Sequence, residues 1–446
     1  MIGESASGVW LGWDPLWVST ALLIATYGVI MTERVNRAIV ALVGAGLMIL
    51  TGVLTQKQAL AGEDFNTLAL LIGMMLLVAI SRKSGMFQYL AIWSAKAAKG
   101  RPWAILALLT LVTAVVSALL DNVTTVLLIA PVTLVITEQL RVPPYPFLFT
   151  EILASNIGGT ATLIGDPPNI IIGSAAGLSF NDFVVNLTPV IVIVLAAQLL
   201  VNHLIWGRAL RVDETARTRI MAFNPRQAIT DWPLLRKSLL VIGLVILAFI
   251  LARAIGLEAG SIALSGAALL LLLDNLGRPA EEQTHRLNGV FSEVEWITIF
   301  FFVGLFAVVA GVEHAGLLDW FAGQILSATG GGAAATALVI LWASALLSAI
   351  IDNIPFVATM IPVIKSMAPT FGGPEGLLPL WWSLSLGACL GGNGTLIGAS
   401  ANLTVAGIAE RAGIPFRFMT FLKLAFPMML MSIVISMVYV YVRYLT

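Results

Sequence analysis

Residues 156–169, Asn-Ile-Gly-Gly-Thr-Ala-Thr-Leu-Ile-Gly-Asp-Pro-Pro-Asn, and residues 391–402, Gly-Gly-Asn-Gly-Thr-Leu-Ile-Gly-Ala-Ser-Ala-Asn, decide the fold. Each lies inside a long apolar stretch, 147–176 in the first case and 380–409 in the second. Glycine and proline at that density break a helix and leave carbonyl and N–H groups without intrahelical partners. In a membrane such backbone is tolerated only where it is buried in protein or lines a cavity. Paired interruptions in corresponding places point to a transporter's binding site. Close packing of small residues between helices would account for Gly158, Gly159, Gly165, Gly391, Gly392 and Gly398, but not for the Asn and Thr among them.

The duplication extends in both directions. Thr67, Gly73, Val78, Ala79, Gly85 and Ala91 recur as Thr298, Gly304, Val309, Ala310, Gly316 and Ala322, at an offset of 231 without a gap. Ser117-Ala-Leu-Leu-Asp121-Asn122 falls on Ser348-Ala-Ile-Ile-Asp352-Asn353, and Pro131 on Pro362. At an offset of 233, Thr162-Leu-Ile-Gly165 meets Thr395-Leu-Ile-Gly398 and Asn169 meets Asn402. The chain therefore reads as two homologous halves, 1–207 and 236–446, joined by a polar segment, 208–235.

Composition identifies the solvent. Of 446 residues 59% are hydrophobic and 11% charged, and the mean hydropathy is +0.96, whereas a soluble domain carries about a quarter charged residues. Runs such as 15–31, 37–54, 66–80, 186–206, 238–254 and 421–441 suit a hydrocarbon core of roughly 30 Å. The expected fold is all-α and polytopic, with about ten transmembrane helices plus two re-entrant hairpins. A net charge of zero gives no footing for nucleic acid, and the single cysteine, Cys389, excludes a disulfide framework or a cysteine-metal cluster. Residues 1–17 lack Lys and Arg, so no cleavable signal peptide is expected.

Basic residues set the orientation. The joining segment carries Arg208, Arg211, Arg217, Arg219 and Arg226, with Arg236 and Lys237 at its edge, which places it in the cytoplasm. Arg34 and Arg37 follow the first helix, and Arg82, Lys83, Lys96, Lys99 and Arg101 follow the third, while 177–183 and 323–335 have none. This fits an external N-terminus and five crossings per half, an odd number that inverts the second half relative to the first. The count needs 102–138 and 333–367 each to enter and leave on one side. Both are apolar with Asp-Asn at the centre, so each is expected to be a helical hairpin with Asp121-Asn122 or Asp352-Asn353 at its tip. Trp10, Trp13, Trp17, Trp381 and Trp382 read as interfacial belts, Lys365 and Lys423 as snorkelling residues, and His314 as a surface residue.

Asp and Asn are good N-caps, but an intramembrane carboxylate is also a functional-site candidate. The expected binding set is Asn122, Thr124, Asn156, Thr160, Thr162, Asn169, Asn353, Cys389, Asn393, Thr395, Ser400 and Asn402. The halves differ in their acids. Asp166 is matched by Ala399 and Glu151 by Leu384, while Asn156 is matched by Cys389. A proton-coupled carrier needs a group that changes protonation, and an embedded carboxyl can do so near neutral pH. The candidates in order are Asp166, Asp121, Asp352 and Glu151.

The segments 121–133 (DNVTTVLLIAPVT), 156–172 (NIGGTATLIGDPPNIII), 352–363 (DNIPFVATMIPV) and 387–402 (GACLGGNGTLIGASAN) resemble the ion-transporter superfamily that includes arsenite permeases, NhaD-type sodium/proton antiporters and the P protein. The resemblance implies a homodimer held by scaffold domains, with a transport domain of hairpins and broken helices moving elevator-fashion in an inner membrane. It implies proton-coupled export of arsenite or antimonite, with sodium/proton exchange as the alternative, and a small-anion carrier less favoured. The Asp-Asn tips depart from the Ser-Asn-Thr tips of the superfamily's dicarboxylate symporters. The expected energy source is the proton gradient, with no cofactor or metal. No P-loop is present, although a separate ATPase subunit is a candidate partner. An intramembrane aspartyl protease using Asp121 and Asp166 is the rival enzyme class. It lacks a Gly-x-Gly run before Asp166 and gives the duplication no role.

Overall fold

The computed structural model describes residue 9 and residues 12–32 and 34–446; Trp10 lies outside them. The described residues form helices and turns with no strand. In the first half, α1 (Pro15–Met31), α2 (Arg37–Leu50), the short α3 (Gln56–Ala61) and α4 (Phe65–Arg82) lead to α5 (Met86–Ala97). Then come α6 (Pro102–Leu119) and α7 (Asn122–Leu140), α8 (Tyr145–Thr160) and α9 (Pro167–Ala176), and α10 (Phe180–Trp206). After α11 (Glu214–Ala222) in the joining segment the series repeats. It runs α12 (Trp232–Ile255), α13 (Ala259–Asn275), α14 (Ala280–Phe291), α15 (Trp296–His314), α16 (Leu317–Ala328), α17 (Ala333–Ser348), α18 (Asn353–Ser366), α19 (Leu378–Gly391), α20 (Ser400–Arg411) and α21 (Phe418–Val440).

Among the described residues seven helices are long and apolar enough to cross a membrane unaided, and α1, α2 and α13 are shorter apolar helices. The two helix pairs that flank the glycine-rich stretches, α8–α9 and α19–α20, are each interrupted, by an irregular stretch over 161–166 and by a single 3-10 turn (Gly392–Gly394) followed by an irregular stretch to 399. Short polar side chains start the helices. Asp14, Asn36, Asp64, Ser179 and Asp231 each accept a hydrogen bond from a backbone N–H of the first turn they cap. At the tips, Asp121 caps α7 and Asp352 caps α18.

The halves interlock through their glycines. α2 crosses α15 where Gly304 lies on the backbone of Ala41 and Leu42, and a Cβ there would come within 2.4 Å of the Ala41 carbonyl carbon. α4 crosses α13 in the same manner, with Gly73 on Ala263 and Leu264 and a closest approach of 2.5 Å. These four helices form a frame, and small residues let their backbones meet. The joining segment docks beneath it. Lys96 Nζ donates to the Phe223 carbonyl (3.0 Å), Thr230 Oγ1 to the Lys83 carbonyl (2.6 Å), and Arg82 pairs with Glu293 (3.0 Å). The starts of α12 and α15 and the end of α4 therefore share one side, the linker side.

Two expectations change. Trp381 and Trp382 are 3% and 1% exposed, so they do not form a membrane belt. Trp382 packs edge-on against Phe183, with ring centroids 5.3 Å apart, because α19 runs through the protein interior. Trp13 and Trp17, by contrast, are exposed, as are Lys365 and Lys423. His314 is exposed and lies 3.0 Å from the Gln58 amide. The second change is that α5 and α16, which no apolar run announced, are short helices, each entered through a left-handed glycine, Gly85 or Gly316.

Candidate functional site

The two breaks are closed by asparagines. Asn169 Nδ2 donates to the carbonyls of Thr160 (3.1 Å) and Thr162 (2.9 Å), and Asn402 Nδ2 to those of Gly392 and Thr395 (both 2.8 Å). These carbonyls have lost their helical partners, and a buried carbonyl left unpaired is costly. Threonines and serines fix the breaks to the hairpins. Thr395 Oγ1 donates to the Ala349 carbonyl (2.6 Å), Thr162 Oγ1 to the Ala118 carbonyl, Ser117 Oγ to the Ser155 carbonyl and Ser348 Oγ to the Ala388 carbonyl (both 2.6 Å). Gly158 and Gly391 permit this contact, since a Cβ at either would fall within 2.5 Å of backbone atoms of Ala114 or Ala345. Gly159 faces Gly165 across one break, and Gly392 faces Gly398 across the other.

Asn156 joins the halves. Its Oδ1 accepts from Asn122 Nδ2 (3.0 Å), and its Nδ2 donates to Asn393 Oδ1 and Asn402 Oδ1 (both 2.9 Å). The asparagine is not repeated: Cys389 stands in the corresponding place and makes the counterpart link to Asn169 with a thiol. Cys389 Sγ and Ser385 Oγ donate to Asn169 Oδ1, at 3.5 and 2.6 Å. Thr160 Oγ1 donates to the Asn156 carbonyl (2.7 Å). Most of the predicted binding set therefore spends its hydrogen bonds within the protein.

The acids behave differently from one another. Asp121 Oδ1 accepts from the Thr124 N–H (2.7 Å), and Asp352 Oδ1 from the Ile354 N–H (3.2 Å). Asp352 Oδ2 also receives Arg37 Nη1 at 2.6 Å and Ser400 Oγ at 3.2 Å, and Arg37 donates to Ser400 Oγ at 2.9 Å. Arg37 lies over the Phe301 ring, 5.0 Å from its centroid. Glu151 is buried between α7 and α8; Thr133 Oγ1 donates to its Oε1 (2.5 Å), and Oε2 has no protein partner. Asp166, only 1% exposed, has no hydrogen-bond partner for either carboxylate oxygen.

Asp166 borders a cavity of about 30 Å³ between the frame and the two tips. Asp121, Asn122 and Asn353 enter it from the tips, Pro167 and Ser400 from the first residues of α9 and α20, and Arg37, Glu295 and Thr298 from the frame. That volume holds one or two waters or a small ion. The structure thus brings Asp121, Asn122, Asp166, Asn353 and Ser400 to one cavity and leaves Glu151 outside its lining. Arg37 and Glu295 also line the cavity, although the sequence marks Arg37 only as a loop charge and does not single out Glu295.

Two interlocked repeats, each carrying a hairpin and a broken helix that meet at a buried polar cavity, define a polytopic membrane transporter. The sequence model of the CitMHS family, described as citrate transporter, matches residues 27–387, and the chain belongs to that family. An uncharacterised transporter of Mycobacterium tuberculosis is 43% identical over 431 residues, covering 96% of this chain and 98% of that one. The human P protein is 35% identical over 510 residues, covering 96% of this chain and 60% of that one, so the superfamily resemblance read from the motifs holds. The crystal structure of the YdaH transporter of Alcanivorax borkumensis, described as having an unusual topology, aligns with a TM-score of 0.61 at 13% identity. It covers 96% of this chain and 98% of that one, a likeness of fold alone.

Proposed function

We propose that the protein is a proton-coupled antiporter of a small monovalent cation. The carrying observation is Asp166, buried with two unpartnered oxygens at a cavity it shares with Asp121 and Glu295. A buried carboxylate without a partner is costly, and a bound proton or a desolvated cation removes that cost. The two loads compete for one group, which is what exchange requires. Hairpins and broken helices would carry the site across the frame in an inner membrane, with the N-terminus outside, the proton gradient as energy source and a homodimer as the working unit.

Citrate, the solute in the family's description, is a trivalent anion. In the cavity it would meet Asp121, Asp166 and Glu295, opposed by one arginine already paired with Asp352. Arsenite or antimonite, uncharged at neutral pH, is the second reading. It is favoured by Cys389, a buried thiol that donates to Asn169 beside the breaks. Against it, most of the asparagines and threonines that would bind its hydroxyls are engaged within the protein.

Everted vesicles carrying the protein, with proton flux followed while sodium, lithium, arsenite or antimonite is added, separate these readings. A response to sodium or lithium alone supports cation exchange, and a response to arsenite alone overturns it.

A further inference from the structure

The frame obeys the repeat, but what leans on it does not. Gly73 and Gly304 are counterparts, and they rest on Ala263–Leu264 and Ala41–Leu42, which correspond at an offset of 222. At that offset the counterpart of Arg37 is Ala259. At the linker-side end of the frame, the first turns of α2 and α15 meet the start of α20. Arg37 donates to Ser400, and Glu295 and Thr298 share a cavity with Ala399 and Ser400. At the far end, the first turns of α13 and α4 meet α9 well beyond its start. Asn66 Oδ1 accepts from the Gly260 N–H (2.8 Å), Asn66 Nδ2 donates to Ser174 Oγ (3.2 Å), and Ser174 Oγ donates to Asp64 Oδ1 (2.9 Å).

Ser174 corresponds to Gly407, not to Ser400. The two ends of a symmetric frame therefore touch positions seven residues apart on equivalent helices, roughly 10 Å at 1.5 Å per residue. Exchanging the two arrangements would slide the hairpins and broken helices by about that distance.

We propose that Arg37 is a one-sided latch. It is a frame-borne guanidinium that pairs with Asp352 only while the site stands at the linker-side end, and a cargo cation or proton must displace it before the site can cross. The proposal rests on the reading that hairpins and broken helices move against the frame. Arg37 is anchored to that frame, since Asn36 caps its helix and Phe301 lies beneath its guanidinium. Its partners, Asp352 and Ser400, belong to the moving elements. A 10 Å slide parts a contact of 2.6 Å, and the frame's own counterpart of Arg37 at the far end is Ala259, which cannot pair with a carboxylate. Arg253 there is paired with Asp182 (2.7 Å), and Lys365 sits on α18 and travels with the hairpin. An empty site leaving Arg37 would carry Asp352 unpaired, beside Asp121 and Asp166, into the protein boundary. Removing one partner of such a pair is strongly unfavourable. Loading the carboxylates with a cation or proton lifts that penalty, so only the loaded site moves and the empty carrier does not leak.

Spin labels at Glu313→Cys on α15 and Lys365→Cys on α18, in a Cys389→Ser background, report the slide as a distance by double electron–electron resonance. The full chain in lipid nanodiscs should show one main distance without sodium. A second, differing by about 10 Å, should appear at saturating sodium or low pH. Arg37→Gln should raise the sodium-free population of the second distance roughly tenfold, whereas Arg37→Lys keeps the parent distribution. Should Arg37→Gln fail to fold, Asp352→Asn breaks the same pair from the other side and should give the same shift. Parent-like distributions in the variants that break the pair would overturn the latch while leaving the sliding motion standing. A single distance under every condition in the parent would overturn the motion and the latch together.

Discussion

Asn156 illustrates how a residue can be legible while its task is not. Its place in a glycine-rich break marks it as part of the site, but sequence alone aims its amide at a solute. In the structure it holds Asn122, Asn393 and Asn402 together. Hydrogen-bond direction depends on which backbone carbonyls and amides the breaks leave free, and that is a tertiary fact. Asn156→Ala should lower stability by about 2–3 kcal/mol through unpartnered buried amides, read as a lower unfolding temperature in detergent. Arg37 was visible only as a loop charge, because its partner lies 315 positions away. Among the acids, Asp166→Asn should abolish coupled proton flux in vesicles. Glu151→Gln should retain it, since Glu151 does not line the cavity. Equal losses in both variants would move the proton away from Asp166.

At the level of elements, hairpins and breaks were readable because their chemistry is local. Asp-Asn in the middle of an apolar run requires a turn, and Gly-Gly with Pro-Pro interrupts a helix. α5 and α16 were not readable, being twelve-residue helices whose apolar faces rest on neighbours that only the fold supplies. Trp381 and Trp382 were misplaced for a related reason. Tryptophan at a helix start suits a membrane interface, but α19 is enclosed by other helices. The glycines at helix contacts have opposite sensitivities. Gly158→Ala puts a Cβ 2.2 Å from the Ala114 carbonyl oxygen, a backbone atom that cannot swing away. It should cost about 1–3 kcal/mol and reduce the yield of monodisperse protein. Gly243→Ala in α12 meets nothing within 4 Å and should be neutral or stabilising by up to about 1 kcal/mol. Paired thermal-shift measurements on the two variants check both.

Across the whole molecule, the duplication in sequence predicts a pseudo-symmetric frame, and the frame is found. In the proposed mechanism the departures from that symmetry carry the function: one asparagine link, one arginine, and Asp166, an acid without a counterpart. The displacement of the site towards the linker-side end could not be read from the chain, because both arrangements use the same residues. The central claim is that a small cation and a proton compete at Asp166. The most direct measurement adds sodium to the purified protein in weakly buffered detergent solution and follows a pH indicator. The wild-type protein should release protons in a saturable manner, and Asp166→Asn should release none. Absence of release from the wild type with both sodium and lithium, or undiminished release from Asp166→Asn, would contradict the account.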